Sequence, residues 1–469
     1  MARLLYLTHR MPYPPDKGDK ITTFHFLRHL AAHHEVHLGA FVDSEDDWQH
    51  VKTLSGYCAD MKLVRIEPRK RKLMSARALL GGASISETFH RSAELQAWVD
   101  DTLAHRGIEG VLAYCSAMAP YAAAARWAAL PRMTHYADVD SQKWQQYAEK
   151  HAGPVGWVYR REARTLLALE RAMSKAYDTT TFVSEADAAL YRTLAPESAH
   201  KVGVVPNGVD TGYFDPALRH DNPFDPARPA IVFTGAMDYW PNVDAVRWFA
   251  TDVLPLVRAA RPGAEFWIVG SNPAKEVSEL QALAGVHVTG RVPDVRPYIQ
   301  HAACVVAPLR VARGVQNKVL EAYAMGRNVV LARSAAAGLR PAPFIQANTH
   351  DEPAALAGAV TQALAAPALF PPARDYVVNH YSWEYAFGLL DAALGLGAWR
   401  SHPACNPSRP SRSKPGSASW CADPNPSGCA QAGAAVADVM RCPNRSPPQS
   451  SWRRGSPTMR PARGRATHV

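Results

Sequence analysis

The chain has 469 residues, of which 47% are apolar, and a formal net charge of +10. A chain of this length usually divides into two or three domains, each with its own hydrophobic core. No apolar run approaches the roughly eighteen residues of a membrane-spanning helix, which argues against an integral membrane protein. Residues 401–469 contain ten Lys or Arg and two Asp, which places +8 of the charge there and leaves the rest nearly neutral, so we expect no nucleic-acid partner.

The start of the chain and the cysteine usage both indicate a cytoplasmic protein. The segment MARLLYLTHRMPYPP has an apolar run of about five residues and no small-residue cleavage site, so we expect no signal peptide. Cys58, Cys115 and Cys304 fall in or beside segments with buried character, as suits reduced thiols. The other cysteines lie near the end of the chain at spacings that match no zinc pattern, so we expect no metal site.

Short β-rich segments alternate with helical ones through the first half of the chain. The β-rich segments are residues 2–9, 35–42, 61–67, 110–116, 133–139 and 179–185. Segments between them, such as FHFLRHLAAH and LQAWVDDTLAHRG, have the apolar spacing of helices. Strands that alternate with helices indicate a parallel sheet with helices on both faces.

A basic segment, RKRKLMSARALL, occupies residues 69–80. Its Arg and Lys residues beside Leu and Met are typical of an amphipathic helix that lies on an anionic membrane. An ordinary solvated helix with one buried side fits the same pattern. The sequence therefore allows a peripheral position at the inner face of the membrane as well as a purely cytoplasmic one.

A second series of β-rich segments follows residues 204–229, a stretch dense in Pro, Asn, Asp and Gly that we interpret as an interdomain connection. The segments of this series are residues 230–237, 264–271, 286–292, 304–309 and 328–332. The sequence therefore predicts an α/β protein with two doubly wound Rossmann-like domains that face each other across a cleft. A ligand is expected in this cleft, at the carboxyl ends of the strands.

The composition changes abruptly near the end of the chain. Residues 398–469 are basic, rich in Pro, Ser and Arg and without apolar periodicity, which predicts a disordered tail. The tail is either an arm for an anionic partner or a nonfunctional extension. Its composition favours the extension and resembles out-of-frame translation.

Several motifs, in order along the chain, resemble the signatures of glycosyltransferase family 4, a retaining family with the GT-B fold. They are VVPNGVDTGYF (204–214), VFTGAM (232–237), WIVGS (267–271), VTGRVPDVRPYIQHA (288–302) and KVLEAYAMGRNVV (318–330). More narrowly, PYPPDKGDKITTFHFLRHLA, DVDSQKW and FVSEADAALYR are similar to the bacterial sugar transferases encoded with exosortase and exopolysaccharide systems. The resemblance runs from about residue 3 to residue 396 and excludes the tail.

This resemblance implies a retaining, hexosyltransferase-like enzyme that moves a sugar from a nucleotide-sugar donor to an exopolysaccharide or lipid-linked glycan acceptor, with no cofactor. Residues 1–205 would form the acceptor-side domain, residues 206–372 the nucleotide-sugar-binding domain, and residues 373–397 a helix that returns to the first domain. The DVD at 138–140 matches a metal signature of a different transferase fold, but its place after a strand of the first half argues against a metal role.

The segment RGVQNKVLEAYAMG carries the strongest donor-binding candidates. We expect a helix over KVLEAYAM, closed by Gly326, with Lys318 and Glu321 on one face. Lys318 would meet the donor diphosphate, and Glu321, as the matching family position implies, would accept hydrogen bonds from two ribose hydroxyls. An ion pair between the two side chains, without function, is the alternative. The donor-binding candidates are Gly235, Gly270, Arg291, Gly314, Asn317, Lys318 and Glu321.

Two departures from the family pattern affect the expected contacts with the diphosphate. The stretch TGAMDYWPNVDAV lacks the Arg and Lys that many members carry here, and Arg313 occupies the position of the first of two glutamates. Arg313, Gly314 and Lys318 could supply the missing contacts from one loop. We therefore name Lys318 and Arg313 as the catalytic candidates.

Two polar segments of the first half are candidates for contacts with the acceptor. PPDKGDK is expected to form a loop before a helix that starts near Ile21, where backbone N–H groups can face a sugar or phosphate oxygen. DVDSQKW follows a strand and offers polar side chains for sugar hydroxyls. A plain surface turn is the alternative for each segment. His135 we interpret as structural. The acceptor or cleft candidates are Gly18, Asp19, Lys20, Asp138, Asp140 and Lys143.

Two other functions fit the same residues. The departures described above suggest a catalytically silent GT-B protein that binds a sugar nucleotide or scaffolds polysaccharide assembly. A nucleotide-sugar epimerase on the same fold is a more distant alternative. Turnover of a nucleotide sugar separates the enzyme from the silent protein.

Overall fold

The computed structural model describes residues 1–395 except 16–17, 68–70, 72–74, 76–77, 80, 313 and 366–368. It contains two wholly parallel sheets, one of seven strands and one of five, with helices between successive strands. This arrangement confirms the predicted fold class of two Rossmann-like α/β domains. The predicted tail, residues 398–469, lies outside the described residues, as do most residues of the basic segment 69–80.

The first sheet has the strand order β3-β2-β1-β4-β5-β6-β7. Its strands are β1 (Arg3–Thr8), β2 (Glu35–Val42), β3 (Asp60–Arg65), β4 (Gly110–Tyr114), β5 (Arg132–Ala137), β6 (Thr179–Phe182) and β7 (Val202–Val204). The central strands are continuous apolar runs, because helices cover both faces of the sheet. The helices of this part are α1 (Gly18–His33), α2 (Val51–Ser55), α3 (Ile85–Phe89), α4 (Ala93–His105), α5 (Asp140–Lys150), α6 (Gly153–Ala176) and α7 (Glu185–Leu194).

The second sheet has the order β10-β9-β8-β11-β12. Its strands are β8 (Ala230–Thr234), β9 (Glu265–Val269), β10 (Val286–Gly290), β11 (Cys304–Ala307) and β12 (Val329–Leu331). The next helices are α8 (Trp240–Trp248), α9 (Leu254–Ala260), α10 (Lys275–Ser278), α11 (Arg296–His301) and α12 (Asn317–Ala324). The last are α13 (Arg333–Ala336), α14 (Pro343–Ala347), α15 (Pro353–Ala365), α16 (Pro371–Tyr381) and α17 (Trp383–Leu394).

The strand orders fix where a ligand can bind. The order reverses between β1 and β4 in the first sheet and between β8 and β11 in the second. At such a reversal the loops that follow the two strands diverge and leave a crevice at their carboxyl ends. The residues after β1, β4, β8 and β11 therefore define the two halves of the site.

Two segments of the chain cross between the sheets side by side. The Val209 N–H donates to the Tyr381 carbonyl at 2.7 Å, which joins the connection after β7 to the end of α16. A Cβ on Gly208 would lie 2.3 Å from the Trp383 ring, so only glycine lets the indole lie on the backbone here. Trp383 then stacks on His25 of α1 with ring centroids 4.1 Å apart.

Helix α17 continues from this crossing onto the first domain. Its Leu390 and Leu394 belong to the same buried cluster as Leu4 and Phe26. The His29 imidazole lies 2.9 Å from the Asp391 carboxylate, which adds a polar contact between α1 and α17. The end of the described chain is therefore held against the domain that contains its beginning.

No helix in the described ranges has both the length and the apolar character that spanning a bilayer would need.

Candidate functional site

Lys318 lies at the carboxyl edge of the second sheet, in the first turn of α12. Its ammonium donates to the Asn242 Oδ1 at 2.5 Å and lies 4.2 Å from the centre of the Phe233 ring. The buried Asn242 also donates from its Nδ2 to the Ala236 carbonyl at 2.8 Å. Asn242 thus holds the ammonium against the loop that follows β8.

The backbone is packed closely at this edge. A Cβ on Gly235 would lie 2.8 Å from the Asn242 Nδ2 and 3.0 Å from the Lys318 Nζ. A Cβ on Gly270, which follows β9, would lie only 1.6 Å from the Gly235 carbonyl oxygen. Both predicted glycines therefore stand where a side chain would displace the loop beside Lys318.

Glu321 lies one turn further along α12 and is half-buried, like Lys318. Burial lowers the pKa of Lys318 to about 7, against the opposing effect of Glu321. Burial raises the pKa of Glu321 to about 7, against the opposing effect of Lys318. The salt bridges within 4.0 Å among the described residues include none between these two side chains, and the Lys318 ammonium donates to Asn242 instead. The ion pair considered from the sequence is therefore not formed, whereas the role of the two residues stays a prediction.

The helix itself agrees closely with the prediction. It begins at Asn317, one residue before the expected start, and Gly326 follows its end with a φ of 65°. The Gly326 N–H donates to the Tyr323 carbonyl at 2.8 Å, which closes the last turn. Strand β12 restarts the sheet three residues later.

The loop before α12 approaches the first domain. Asp138 Oδ1 lies 3.6 Å from the position that a Cβ on Gly314 would occupy. Behind the loop, a Cβ on Gly338 would lie 2.0 Å from the Gly314 carbonyl oxygen, so Gly338 provides the space that the loop occupies. Arg313, the other catalytic candidate, lies outside the described residues.

The opposite wall of the cleft begins at the end of β1. Asp19, in the first turn of α1, accepts from the Arg10 Nη1 at 2.9 Å and lies 3.1 Å from the His9 Nε2. Burial alone would raise the pKa of Asp19, but its hydrogen bonds with His9 and Arg10 hold that pKa well below the usual range. On the other side of the guanidinium, the Arg10 Nε donates to the Asp43 Oδ2 at 2.9 Å.

The structure corrects two expectations for the segment around Gly18. Helix α1 begins at Gly18 rather than near Ile21, so this residue starts the helix and is not part of a loop. Lys20, expected to contact the acceptor, is buried, and its ammonium binds both carboxylate oxygens of Asp47 at 2.8 Å. A charge enclosed and paired in this way is not available to a ligand in the cleft, because loss of the pairing would leave a buried charge uncompensated.

Asp138, Asp140 and Lys143 lie together where β5 passes into α5. Asp138 and Lys143 are exposed, and Asp140 is half-buried. Burial raises the pKa of Asp140 to about 6, with an opposing effect from Lys143. Among the described residues, no three His, Cys, Asp or Glu side chains converge as a metal site would require.

The structure thus brings together only part of the predicted site. Gly235, Gly270, Lys318 and Glu321 share the carboxyl edge of the second sheet. Arg291 directly follows β10 at this edge, and Asn317 is the first residue of α12; both side chains are exposed.

Sequence reasoning missed the partners that orient the predicted residues. Asn242 holds Lys318, and His9 and Arg10 hold Asp19. The available signal was that His9 and Arg10 directly follow β1, since polar residues at strand ends commonly serve a site. Asn242 lies in the first turn of α8, the helix after β8, and gave no such signal. His135, set aside as structural, is buried, and its Nδ1 lies 2.9 Å from the Thr181 hydroxyl.

Residues 228–366 match the family model described as Glycosyl transferases group 1. The matched range contains the whole second sheet and the side chains of Asn242, Lys318 and Glu321. No curated protein matches the chain.

Solved structures extend the comparison to the first domain. Sucrose-phosphate synthase from Thermosynechococcus elongatus is 17% identical, with a TM-score of 0.55 over 84% of this chain and 98% of its own. Anabaena HepE, in complex with UDP and glucose, is 14% identical, with a TM-score of 0.53; the match covers 84% of this chain and 100% of HepE. WaaG, a glycosyltransferase involved in lipopolysaccharide biosynthesis, is 15% identical, with a TM-score of 0.54; the match covers 84% of this chain and 100% of WaaG. The chain therefore has the GT-B fold, and residues 228–366 of its second domain are similar to the group 1 glycosyl transferases.

Proposed function

We propose that this protein is a retaining glycosyltransferase of family 4 that moves a sugar from a nucleotide-sugar donor to an exopolysaccharide or lipid-linked glycan acceptor. The observation that carries the proposal is the Lys318 ammonium, held by Asn242 at the carboxyl edge of a group 1 type domain. Neither a cofactor nor a metal is part of the proposal.

Lys318 suits the diphosphate of such a donor. The negative charge on the leaving diphosphate grows as its bond to the sugar breaks, so a cation fixed in advance stabilises the transition state more than the ground state. Lys318 is fixed by a buried amide, and an arriving diphosphate would favour its charged form. The ammonium can thereby replace the Arg and Lys that the stretch after β8 lacks.

The glycines beside Lys318 suit the same ligand. Gly235, packed against Gly270, has no side chain on the side of the Lys318 ammonium, whose Nζ would lie 3.0 Å from a Cβ there. A phosphate or sugar oxygen that binds the ammonium can therefore come close to this backbone. Helix α12 then places Glu321 one turn behind Lys318. A carboxylate can accept from two ribose hydroxyls at once, which supports a nucleoside as the group bound there.

In the proposed reaction the bond between the anomeric carbon and the diphosphate oxygen breaks, and the acceptor oxygen bonds to the same face of that carbon. The acceptor proton passes to the leaving diphosphate, so the protein need not supply a nucleophile. Lys318 balances the charge on the departing group. Asp138 and Asp140, across the cleft, would orient the acceptor hydroxyls through hydrogen bonds.

The donor and acceptor classes rest on different observations. HepE, which has the same fold, is known in complexes with UDP and with UDP-glucose, which supports a UDP-sugar as the first donor to test. The resemblance of the PYPPDKGDK and DVDSQKW segments supports an acceptor of an exosortase-associated exopolysaccharide system. A lipid-linked acceptor would require the protein to work at the inner face of the membrane.

A thermal-shift screen across UDP-, GDP- and ADP-sugars tests the proposal. A donor at 100 times its dissociation constant should add about 2.7 kcal/mol to the free energy of unfolding. The stabilising donor should then be hydrolysed slowly or transferred by the purified protein. Stabilisation without any turnover would identify the catalytically silent protein instead, and no stabilisation by any donor would overturn the proposal.

Replacing Glu321 by glutamine should weaken donor binding by about 1–2 kcal/mol, because a neutral amide forms weaker hydrogen bonds with the ribose than a carboxylate does. The shape of the side chain is kept, so the melting temperature without donor should change little. Calorimetric titration of both proteins measures the difference. Equal donor affinity would place the ribose elsewhere.

The pH dependence of donor binding should follow the two shifted groups on α12. Below about pH 7 Glu321 gains a proton and loses part of its hydrogen-bonding capacity, and above about pH 7 Lys318 loses its charge. We therefore expect donor affinity to be greatest near neutral pH, to fall on the acidic side, and to fall only a few-fold on the alkaline side, because the contact of Lys318 strengthens mainly as the diphosphate departs. The Glu321→Gln variant should lose the acidic fall and keep the alkaline one, moved to lower pH because the Glu321 charge raises the pKa of Lys318. A flat profile in the parent would contradict both assignments.

A further inference from the structure

Helices α5 and α6 form a hairpin whose tip is exposed. We define the tip as residues 147–160, which contain the end of α5, the turn and the start of α6. Three large apolar side chains of the tip are turned to solvent, Tyr147, Val155 and Trp157, with exposed fractions of 39%, 49% and 52%. Single exposed apolar side chains are common on protein surfaces, but several close together indicate a contact surface.

The aromatic side chains of the hairpin do not contribute to the hydrophobic core. The Tyr159 ring contacts the rings of Trp144, Tyr147 and His151, with centroids 5.4, 6.0 and 5.2 Å away. Among the described residues these rings belong to none of the four buried apolar clusters. They stiffen the hairpin and leave Trp157 exposed beyond it.

The charges around the tip are mostly positive. Between residues 141 and 164 the exposed acidic side chain is Glu149, because Glu162 is buried and accepts hydrogen bonds from Ser84 and two backbone N–H groups of α3. Arg161 is also buried, and its guanidinium binds backbone carbonyls of residues 78–83. Of the exposed basic side chains in this span, Lys150, Arg160 and Arg164 lie in or next to the tip, and Lys143 lies towards the other end of α5, near Asp140.

We propose that the hairpin tip docks on the surface of an anionic lipid bilayer. Tryptophan and tyrosine prefer the boundary between headgroups and acyl chains, because their rings are apolar and their polar atoms remain hydrated. Arginine and lysine beside them are attracted to anionic headgroups. A neutral or acidic rim would favour another partner, whereas this rim complements an anionic surface.

The position of the hairpin links this surface to the cleft. Helix α5 begins at Asp140, beside the proposed acceptor site, and ends at Lys150 in the tip. Ten residues of helix span about 15 Å, so a bilayer at the tip would lie about that far from Asp140. The inference rests on the proposed function in one respect, because it places a lipid-linked glycan within reach of the transfer site.

Hydrogen exchange of the full chain tests the contact. Phosphatidylcholine vesicles containing about one-third phosphatidylglycerol should slow exchange within residues 147–160, and pure phosphatidylcholine vesicles should have little effect. Flotation with the same vesicles measures affinity. Trp157→Ala and the pair Arg160→Gln and Arg164→Gln should each weaken binding by about tenfold or more. Raising the salt concentration should weaken vesicle binding by the parent protein and should have less effect on binding by the arginine variant.

Trp240 provides a matched control, since it is 55% exposed and belongs to the second domain. Trp240→Ala should leave vesicle binding unchanged. Vesicle binding without protection of residues 147–160, or binding by the Trp157 and arginine variants as tight as that of the parent protein, would overturn the inference. Protection of the tip that grows with protein concentration in the absence of lipid would assign it to a protein contact instead.

The vesicle experiment contains no donor, so its outcome is independent of the donor screen. Donor stabilisation without lipid protection at the tip would overturn this inference and leave the proposed function intact. Lipid protection of the tip without stabilisation by any donor would overturn the proposed function and leave this inference intact.

Discussion

Replacing Lys318 by alanine is expected to lower the turnover number of sugar transfer by about 100- to 1,000-fold, the usual effect of removing one fixed donor to a developing anion. The Michaelis constant for the donor should change only a few-fold, because the lost contact strengthens as the diphosphate departs. Steady-state kinetics with the donor identified by thermal shift separates the two quantities.

Lys275 gives the matched control for this substitution. It lies in the same domain, is 87% exposed and has an ion-pair distance of 3.7 Å to Glu279. Lys275→Ala should leave both kinetic constants unchanged. A folded Lys318→Ala protein with the turnover of the parent would remove this residue from the reaction.

Replacing Gly270 by alanine is expected to lower the free energy of unfolding by about 3 kcal/mol or more. The new Cβ would lie 1.6 Å from the Gly235 carbonyl oxygen, and no side-chain rotation can relieve a clash with the backbone. The loop after β8 must therefore move, and with it the surroundings of Lys318. Chemical denaturation should report the lost stability, and thermal shift should report weaker stabilisation by donor.

Gly358 is the control for the glycine substitution. It lies on the exposed side of α15, and a Cβ there would meet no atom within 4 Å. Gly358→Ala should therefore leave stability unchanged or raise it by up to about 1 kcal/mol, because alanine favours a helix. If Gly270→Ala behaved like this control, the close packing of β8 against β9 would not be the reason for its glycine.

The sheets were predictable because their strands are buried on both faces. Apolar runs such as RLLYLT and AIVFT stand out in the sequence, and each became a strand. Strand β7 was missed, since its three residues at the sheet edge carry too little of this pattern. Helix α12 was predicted almost to the residue because a loop precedes it and Gly326 ends it.

The partners of charged residues could not be predicted in the same way. Lys20 and Asp47 are separated by 27 positions, and Lys318 and Asn242 by 76. Each pair joins elements that are distant in the sequence and adjacent in the fold. The sequence therefore identified Lys318 from its segment, but it could not distinguish this lysine, at the cleft, from Lys20, in the core.

The paired crossing of the two chain segments has a mechanical consequence. Because the Val209 N–H is bonded to the Tyr381 carbonyl, and Gly208 lies under Trp383, the outgoing and returning segments are tied at one place. A single linker would let the second domain twist freely about its axis. Two segments joined in this way resist such twisting. Opening of the cleft must therefore bend both segments together, so that this crossing acts as a two-segment hinge.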